Sequence, residues 1–354
     1  MTLARIPCVY MRGGTSRGLV FDVRDLPPDR KDWDAIFLAA MGVPDRYGRN
    51  LDGMGGGLSS LNKICIVGPA SRADSDVEYT FAQCAVAEAR VDYAGNCGNM
   101  SAAIGPFALE QGLVTGPQEG DASIRIHNTN TGKIIVAQFP VEQRVLRSSG
   151  DLEIDGVTGN AAPIRLEFLS PGGAKTGKLL PTGHSLEILE GIEASCVDAA
   201  NPCVFVEAKA LGKTGSEAPQ ELEADTGFLT RMEAIRHAAA ERMGVAGSAS
   251  VPLVAMVAPS GDASDITVRM ISMGQPHRAT PITGAICLAI ACRLPGSLPQ
   301  RLCRAEQGAI RVGHPSGVTV VDAALNGAGE AEYGAVYRTA RRLFEGNVLF
   351  RRSE

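Results

Sequence analysis

A cysteine stands directly before a long run of small and apolar residues. Cys97 lies between Asn96 and Gly98, and residues 100–109 are all small or apolar. The run predicts a helix over residues 100–111 that protein surrounds on every side, while the glycine and asparagine before it suit a tight turn. A thiol at a helix start lies among unpaired N–H groups, whose field stabilises a thiolate or a bound carboxylate. The alternative is a small core cysteine, although the turn-forming neighbours favour the reactive thiol.

A glycine-rich loop near the N-terminus carries hydroxyl and guanidinium groups. Two glycines, Thr15 and Ser16 stand between Arg12 and Arg17, directly before a strand-like run. Backbone amides that glycine leaves accessible, hydroxyl donors and guanidinium groups together bind carboxylates or phosphates. The same residues also suit a hairpin turn, and the sequence leaves both interpretations open. The loop is not a phosphate-binding P-loop, because its sequence lacks the GK[ST] ending.

A second glycine-rich loop ends at Lys63. Ser59, Ser60 and Leu61 lie in this loop, and an apolar strand-like run follows at residues 64–67. A lysine at a strand entrance is usually a solvated surface residue. A lysine withdrawn from water near a helix N-terminus would instead release its proton more readily and act as a general base. The sequence leaves both roles open.

The second half of the chain repeats features of the first at an offset of about 185 residues. Residues 283–285 open a second apolar, helix-like run, as residues 99–101 open the first. Two further pairs keep the same order: residues 125–132 with 311–317, and 15–16 with 201–202. Three pairs at nearly one offset indicate a duplicated unit, although glycine-rich turns also match by chance. Two such domains would direct two helix N-termini into one cleft, where a small ligand is expected.

The repeat and the loops rich in proline and glycine predict two domains. We expect an N-terminal domain over residues 1–185, a C-terminal domain over 186–340, and a final segment, 341–354, that returns to the first domain. Short strand-like runs outnumber helices along the chain. The predicted helices span residues 32–41, 100–111, 227–243 and 284–292.

The composition excludes several classes of protein. The 354 residues carry a net charge of −5 and no basic tract apart from arginine pairs near the C-terminus, so nucleic acid is not an expected partner. Apolar runs are too short to cross a membrane and the first residues do not resemble a signal peptide, so we expect a cytoplasmic protein. The nine cysteines include no Cys-x-x-Cys pair, and the histidines no HxH or HExxH spacing. We therefore expect reduced thiols, no metal site and no cofactor.

Six motifs distributed over nearly the whole chain resemble those of the PrpF family. They are GGTSRG at residues 13–18, GGGLSSLNK at 55–63, NCGNMSAAIGPFA at 96–108, PTGHS at 181–185, HPSG at 314–317 and RTARRLFEG at 338–346. This family contains 2-methylaconitate cis-trans isomerase and the 4-oxalomesaconate tautomerases of aromatic and lignin-derived catabolism. The resemblance implies the diaminopimelate-epimerase fold, an α+β fold of two pseudo-symmetric domains that each wrap a mixed sheet around a central helix.

The resemblance also implies a catalytic pair, because it maps the family's catalytic lysine onto Lys63, beside Cys97. The amino-acid epimerases of this fold carry a second catalytic cysteine in the other half, where the internal alignment places Pro281. A symmetric two-thiol racemase is therefore not expected, and Cys287 is interpreted as a core residue. One mobile base suits an allylic proton shift through a dienolate. The sequence leaves open whether Cys97 is an obligatory acid or only lines the pocket.

The expected substrate is a small unsaturated tricarboxylate. The motif resemblance favours 4-oxalomesaconate as the substrate. The alternatives are an isomerase of 2-methylaconitate and a protein that binds tricarboxylates without catalysis. The sequence also leaves open whether the protein forms a homodimer. Because the protein is acidic overall, the site needs local positive potential, from two helix N-termini and from arginine and histidine side chains. Gly284 is expected to line the cleft, outside either core. The predicted substrate-binding residues are Arg12, Thr15, Ser16, Arg17, Ser59, Ser60, Leu61, Asn96, Gly98, Asn99, Met100, Ser101, His277, Arg278, Thr283, Gly284, Ala285 and Ser316.

Overall fold

Contacts between residues divide the protein into two units. The computed structural model describes residues 3–93, 96–247, 251–272 and 274–351. One unit comprises Met1–Leu166 with Tyr337–Glu354, and the other comprises Glu167–Val336. Residues 167–185, which the sequence analysis assigned to the first domain, belong to the second unit by their contacts. Backbone hydrogen bonds hold them there, since Ser170 N donates to Glu332 O and Gly173 N donates to Asp198 O.

Strands predominate in the described part of the first half of the chain. The elements are β1 (Leu3–Gly13), β2 (Ser16–Asp22), α1 (Trp33–Met41), β3 (Lys63–Pro69), β4 (Val77–Cys84), β5 (Val91–Asp92), α2 (Gly98–Glu110), β6 (Gly120–Asn128), β7 (Lys133–Glu142), β8 (Val145–Leu146), β9 (Leu152–Glu153), β10 (Asn160–Ala161) and β11 (Ile164–Leu169). Both predicted helices are present. α2 begins two residues earlier than predicted, because Gly98 and Asn99 already have helical geometry.

The second half has more helix. Its elements are β12 (Glu187–Leu189), β13 (Ile192–Ala199), β14 (Asn201–Glu207), α3 (Pro219–Ala224), α4 (Thr226–Arg242), β15 (Leu253–Ala258), β16 (Ile266–Ser272), β17 (Gln275–Pro276), α5 (Ile282–Arg293), α6 (Leu298–Leu302), β18 (Ile310–His314), β19 (Gly317–Leu325), β20 (Ala331–Arg338) and β21 (Ala340–Arg351). α4 and α5 match the predicted helices to within two residues. α3 and α6 were not predicted, because five or six residues are too few to show helical periodicity.

In the first unit a mixed sheet surrounds α2. β1 pairs antiparallel with β2 and β21, β2 pairs parallel with β3, β3 antiparallel with β4, β4 parallel with β6, and β6 antiparallel with β7. Strands from both ends of this series contact α2. Every residue of α2 from Met100 to Leu109 is buried, which confirms the helix predicted to be wrapped by protein.

The two faces of β3 serve different neighbours. Ile64 and Ile66 pack in one core cluster with Ala82 of β4 and Phe37 of α1. Because side chains alternate along a strand, Lys63 and Cys65 lie on the opposite face. The register of the neighbouring strand places Gln83 and Phe81 beside them, since Lys63 pairs with Gln83 and Cys65 with Phe81.

The second unit repeats the same order of strand directions. β12, β13 and β14 pair antiparallel in sequence, β14 pairs parallel with β15, β15 antiparallel with β16, β16 parallel with β18, and β18 antiparallel with β19. α5 contacts β13, β14 and β19 and is buried along almost its whole length. The matching pattern is consistent with the predicted duplication, which stays a prediction.

The structure confirms the predicted α+β class, with mixed sheets and few helices. On the outer side of the second unit, α4 packs Phe228, Met232 and Ile235 against Val204 and Val254. Within the described ranges, none of the helices has the length and apolar character needed to cross a bilayer.

Candidate functional site

Cys97 is the residue directly before α2. Its backbone is extended, with φ −110° and ψ 97°, and its carbonyl oxygen accepts hydrogen bonds from Ser101 N at 3.0 Å and Ser101 Oγ at 3.1 Å. These two bonds start the helix and make Cys97 its N-cap residue, although the thiol itself forms no capping hydrogen bond with the first N–H groups of α2. The residue is only 9% exposed. Both features considered from the sequence therefore occur together, a helix start and a buried thiol.

The β1–β2 hairpin packs against the first turn of α2. Gly14 has φ +52°, and a Cβ added at Gly13 would lie 2.5 Å from Asn99 O. Asn99 Nδ2 donates to Thr15 Oγ1 at 3.2 Å, and Asn99 Oδ1 accepts from Thr15 N at 3.4 Å. The loop is a hairpin, and glycine is required because the backbone of α2 approaches it so closely. Its predicted role in binding anions stays a prediction.

Lys63 is the first residue of β3 and is buried, with 9% exposure. Its Nζ donates to Gln83 Oε1 at 2.8 Å and lies 5.0 Å from the centroid of the Phe81 ring. The alternative of a solvated surface lysine is therefore wrong. Parallel pairing of Gly18 with Lys63 explains the burial, because β2 covers the strand entrance.

Gln83 fixes the direction of the Lys63 side chain. Gln83 Nε2 donates to Asn62 O at 2.9 Å and to the carbonyl oxygens of Ser59 and Cys84 at 3.1 Å each. With the amide nitrogen held by three carbonyls, Oε1 must face Lys63. Sequence reasoning missed Gln83, because its place beside Lys63 depends on the β3–β4 register.

Two buried asparagines hold the glycine-rich loop that precedes Lys63. Asn62 Oδ1 accepts from Gly56 N at 3.0 Å, and Asn62 Nδ2 donates to Asn50 Oδ1 at 3.1 Å. Asn50 Oδ1 also accepts from Gly57 N at 3.0 Å. The loop ends in a short 3-10 helix, Ser59–Leu61, of which Ser59 is exposed and Ser60 and Leu61 are half-buried. The three predicted loop residues thus lie directly before Lys63, on a rigid support.

A buried polar row lies behind Cys97. Cys65 Sγ donates to Tyr79 Oη at 3.7 Å. Burial raises the pKa of both Cys65 and Tyr79, so both groups stay protonated near neutral pH. Lys63 lies on the same face of β3 as Cys65, and α2, whose N-cap residue is Cys97, contacts β1, β2 and β3. The structure therefore brings the predicted catalytic pair to one region of the first unit.

The turn after β6 supports the loop that carries Cys97. Asn128 Nδ2 donates to Asn96 Oδ1 at 3.1 Å. Asn130 Nδ2 donates to Phe81 O at 2.9 Å and to Tyr93 O at 2.7 Å. Neither supporting residue was predicted as part of the site, although both lie in residues 125–132, one of the stretches that the second half of the chain repeats.

Strand alternation places Arg12 and Arg17 away from the Lys63 face. Arg17 precedes Gly18, the partner of Lys63, so its side chain points to the other side of the sheet, where it lies 5.7 Å above the Tyr10 ring. Arg12 is the cross-strand partner of Arg17, and its Nη1 donates to Gly14 O and Thr339 O. Ser16, two residues before Gly18, is buried on the Lys63 side. The two arginines, predicted as countercharges, therefore lie on the face opposite Lys63 of the predicted catalytic pair.

Three predicted residues of the second unit, His277, Arg278 and Ser316, lie in two loops that a hydrogen bond joins. Burial lowers the pKa of His277, and its Nδ1 accepts from Ala279 N at 3.1 Å. The imidazole is therefore neutral at pH 7 and does not supply the predicted positive charge. Arg278 is 62% exposed and pairs with Glu223 at 3.3 Å. Ser316 Oγ donates to Arg278 O, which joins the β18–β19 turn to this loop.

The first turn of α5 has less open space than the sequence analysis expected. Thr283 is half-buried, while Gly284 and Ala285 are buried. A Cβ added at Gly284 would lie 2.5 Å from Met270 Sδ. The expectation that Gly284 lies outside the core is therefore wrong, because this glycine permits close packing of α5 on β16. Cys287 is fully buried, as predicted.

Comparison with known proteins supports an isomerase. The chain is 41% identical over 362 residues to the 4-oxalomesaconate tautomerase of Pseudomonas putida, covering 99% of this chain and 98% of the relative. It is 38% identical over 377 residues to the 3-methylitaconate isomerase of Eubacterium barkeri, with 99% and 98% covered. A crystal structure of methylitaconate-delta-isomerase superposes with a TM-score of 0.90 at 38% identity, covering 99% of this chain and 96% of the other.

More distant structures share the fold alone. A hydroxyproline epimerase from Agrobacterium vitis superposes with a TM-score of 0.56 at 13% identity, covering 98% of this chain and 92% of the other. The family model described as PrpF protein matches residues 3–351. The chain therefore belongs to the PrpF family.

Proposed function

We propose that the protein is a cofactor-independent isomerase that moves a proton within 4-oxalomesaconate. The observation that carries this proposal is the buried Lys63 amine, which Gln83 orients on the sheet face next to the start of α2. The sequence identity of 41% with the 4-oxalomesaconate tautomerase of P. putida supports the choice of substrate. The proposed catalytic residues are Lys63 and Cys97.

The proposed reaction needs one base and a stabilised dienolate. Lys63 removes a proton from the carbon next to the conjugated system and returns it at the other end of the allylic unit. The N–H groups of Gly98, Asn99 and Met100 at the start of α2 bind a substrate carboxylate, helped by the helix dipole. Because the thiol of Cys97 lies at the same helix start, it is the second group that the proton can reach.

A second candidate substrate is a methylitaconate-type dicarboxylate. The TM-score of 0.90 to methylitaconate-delta-isomerase supports it, and the allylic shift is the same chemistry. 2-Methylaconitate is the third compound to compare. A protein that only binds tricarboxylates differs from an isomerase of any of these three compounds, because it would not exchange substrate protons with solvent.

The test is a parallel assay of the three compounds in deuterated water. Of the three compounds, we expect 4-oxalomesaconate to incorporate deuterium with the highest kcat/KM. A higher kcat/KM for either of the other two compounds would show that it, and not 4-oxalomesaconate, is the preferred substrate. If deuterium entered none of the three compounds, the result would favour a protein that binds tricarboxylates without catalysis.

Lys63→Met tests the base. We expect kcat to fall by about 10²- to 10⁴-fold, the usual contribution of a general base, while calorimetry still detects carboxylate binding. Lys31→Met is the matched control, because Lys31 is exposed in the same unit. Near-normal turnover by Lys63→Met would remove Lys63 from the mechanism.

A further inference from the structure

Three arginines stand side by side on neighbouring strands of the first unit. Arg17 of β2 pairs with Arg12 of β1, and Arg12 pairs with Arg341 of β21. Side chains of directly paired residues share one face of a sheet, with Cβ atoms about 5 Å apart, and like charges at such positions repel each other. Among the described residues, no carboxylate forms an ion pair with any of these three guanidinium groups. The row therefore carries positive charge that the described part of the protein does not compensate.

Uncharged acceptors hold the side chain of Arg12 in place. Its Nη1 donates to Gly14 O at 2.9 Å, to Thr339 O at 3.0 Å and to Thr339 Oγ1 at 2.9 Å. Partial burial and the neighbouring Arg341 charge lower the pKa of Arg12. A guanidinium nevertheless stays protonated at neutral pH, because its ordinary pKa lies far above neutrality. The fold thus keeps a fixed cation at a place where a bound anion would stabilise it.

Arg12 and Arg341 line a cavity of about 750 Å³, which we call the β1–β21 cavity. This volume lies within the range of sites for small ligands. Aliphatic side chains form another part of the wall, namely Val145, Leu146, Val157 and Leu343. All of these residues belong to the first unit. The described residues that line the cavity do not include Lys63 or Cys97, so it is separate from the proposed catalytic pair.

The acidic residues of the cavity already have partners. Glu110 Oε2 accepts from Arg342 Nε at 2.7 Å, and Glu110 Oε1 accepts from Leu146 N at 3.1 Å. Glu345 pairs with the same Arg342 guanidinium. The lining therefore holds two carboxylates and three guanidinium groups, which leaves a single net positive charge. One net charge suits a singly charged anion better than a doubly charged one, because the two carboxylates repel additional negative charge.

We propose that the β1–β21 cavity binds a small organic monocarboxylate with an apolar body. The carboxylate lies between Arg12 and Arg341, accepts charge-assisted hydrogen bonds from both and offsets their mutual repulsion. The apolar body covers the aliphatic part of the wall and is withdrawn from water there. Two facing arginines beside an apolar wall are thus explained by one ligand.

Isothermal titration calorimetry of the full-length protein with hexanoate, acetate and sulfate tests the proposal. We expect hexanoate to bind at least about ten-fold more tightly than acetate, because its additional CH₂ groups are buried, and more tightly than the dianion sulfate. Arg341→Gln should weaken hexanoate binding by about 10- to 100-fold, the usual effect of losing a hydrogen bond to a charged group. Arg144→Gln is the matched control and should bind as the parent, because it removes an exposed charge of the same unit outside the cavity.

Two further measurements separate this cavity from the catalytic pair and from a structural role of Arg341. Lys63→Met should bind hexanoate as the parent does, and a loss of binding in that variant would overturn the assignment to the cavity. Arg341→Gln should keep or slightly raise the melting temperature, since it removes one of two facing charges, and a marked drop would contradict the repulsion. The proposal is overturned if hexanoate does not bind at up to about 10 mM, if it binds Arg341→Gln as tightly as the parent, or if sulfate binds as tightly as hexanoate.

Discussion

The neutral amide of Gln83 accepts a hydrogen bond from Lys63, and Gln83→Glu changes its charge with almost no change in shape. The glutamate would place a carboxylate 2.8 Å from Nζ, the present distance to Oε1. An ion pair favours the protonated amine, which cannot act as a base. We therefore expect the variant to need a higher pH for activity.

The size of this effect follows from the geometry. Two unit charges 2.8 Å apart attract by about 6 kcal/mol at an effective dielectric constant near 20. The three carbonyl oxygens that now accept from Gln83 Nε2 would face the carboxylate in both protonation states of Lys63, so their repulsion, about 0.5–1.5 kcal/mol each, lowers the stability of the fold and does not move the acid limb. The attraction of about 6 kcal/mol is an upper bound, and a close opposite charge typically moves such a limb by about 1–3 pH units, equal to about 1.4–4 kcal/mol.

The assay is kcat/KM for the isomerisation as a function of pH. Between pH 6 and 8 the activity of Gln83→Glu should fall by about 10- to 1,000-fold relative to the parent protein and recover at higher pH. Gln83→Met removes the acceptor without adding charge, so it should lower kcat without moving the acid limb upward. Gln138→Glu adds the same charge at an exposed strand position and should behave as the parent. A uniform loss of activity at every pH would refute the reasoning, because it would show a structural effect of position 83.

Two further substitutions test the site. We expect Cys97→Ser and Cys97→Ala both to keep most activity, because one base can return the proton and Cys97 then only lines the pocket. If Cys97 were instead an obligatory acid, Cys97→Ser would lose about 10²- to 10⁴-fold in kcat. Gly284→Asp should lower the melting temperature by several degrees, since overpacking against Met270 costs about 1–3 kcal/mol and the aspartate adds a buried charge. An unchanged melting curve would contradict the observed packing.

Local sequence patterns were sufficient for some parts of the site. Cys97 was placed at the start of a buried helix because the glycine, the asparagines and the apolar run are contiguous in the chain. The close approach of the Gly13–Gly14 turn to α2 is likewise a property that glycine indicates. In both cases the information lies within about ten residues of the site residue.

Other parts depend on strand register, which a single sequence does not contain. Gln83 contacts Lys63 only because β3 and β4 pair in one register. The side-chain directions of Arg12 and Arg17 follow from the pairing of Gly18 with Lys63, which the hairpin motif alone does not reveal. The neutral state of His277 results from burial by distant residues. These features are set by tertiary packing, so composition and spacing could not predict them.

Because side chains alternate along β3, neighbouring residues of this short strand lie in two different environments. Ile64 and Ile66 contribute to the core shared with α1, whereas Lys63 and Cys65 lie on the opposite face of the strand. A substitution at Ile64 or Ile66 would change how much folded protein a cell retains, whereas under the proposed mechanism a substitution at Lys63 would change the reaction and leave that core in place. Selection for a new substrate can therefore act on alternate residues and leave the hydrophobic core intact.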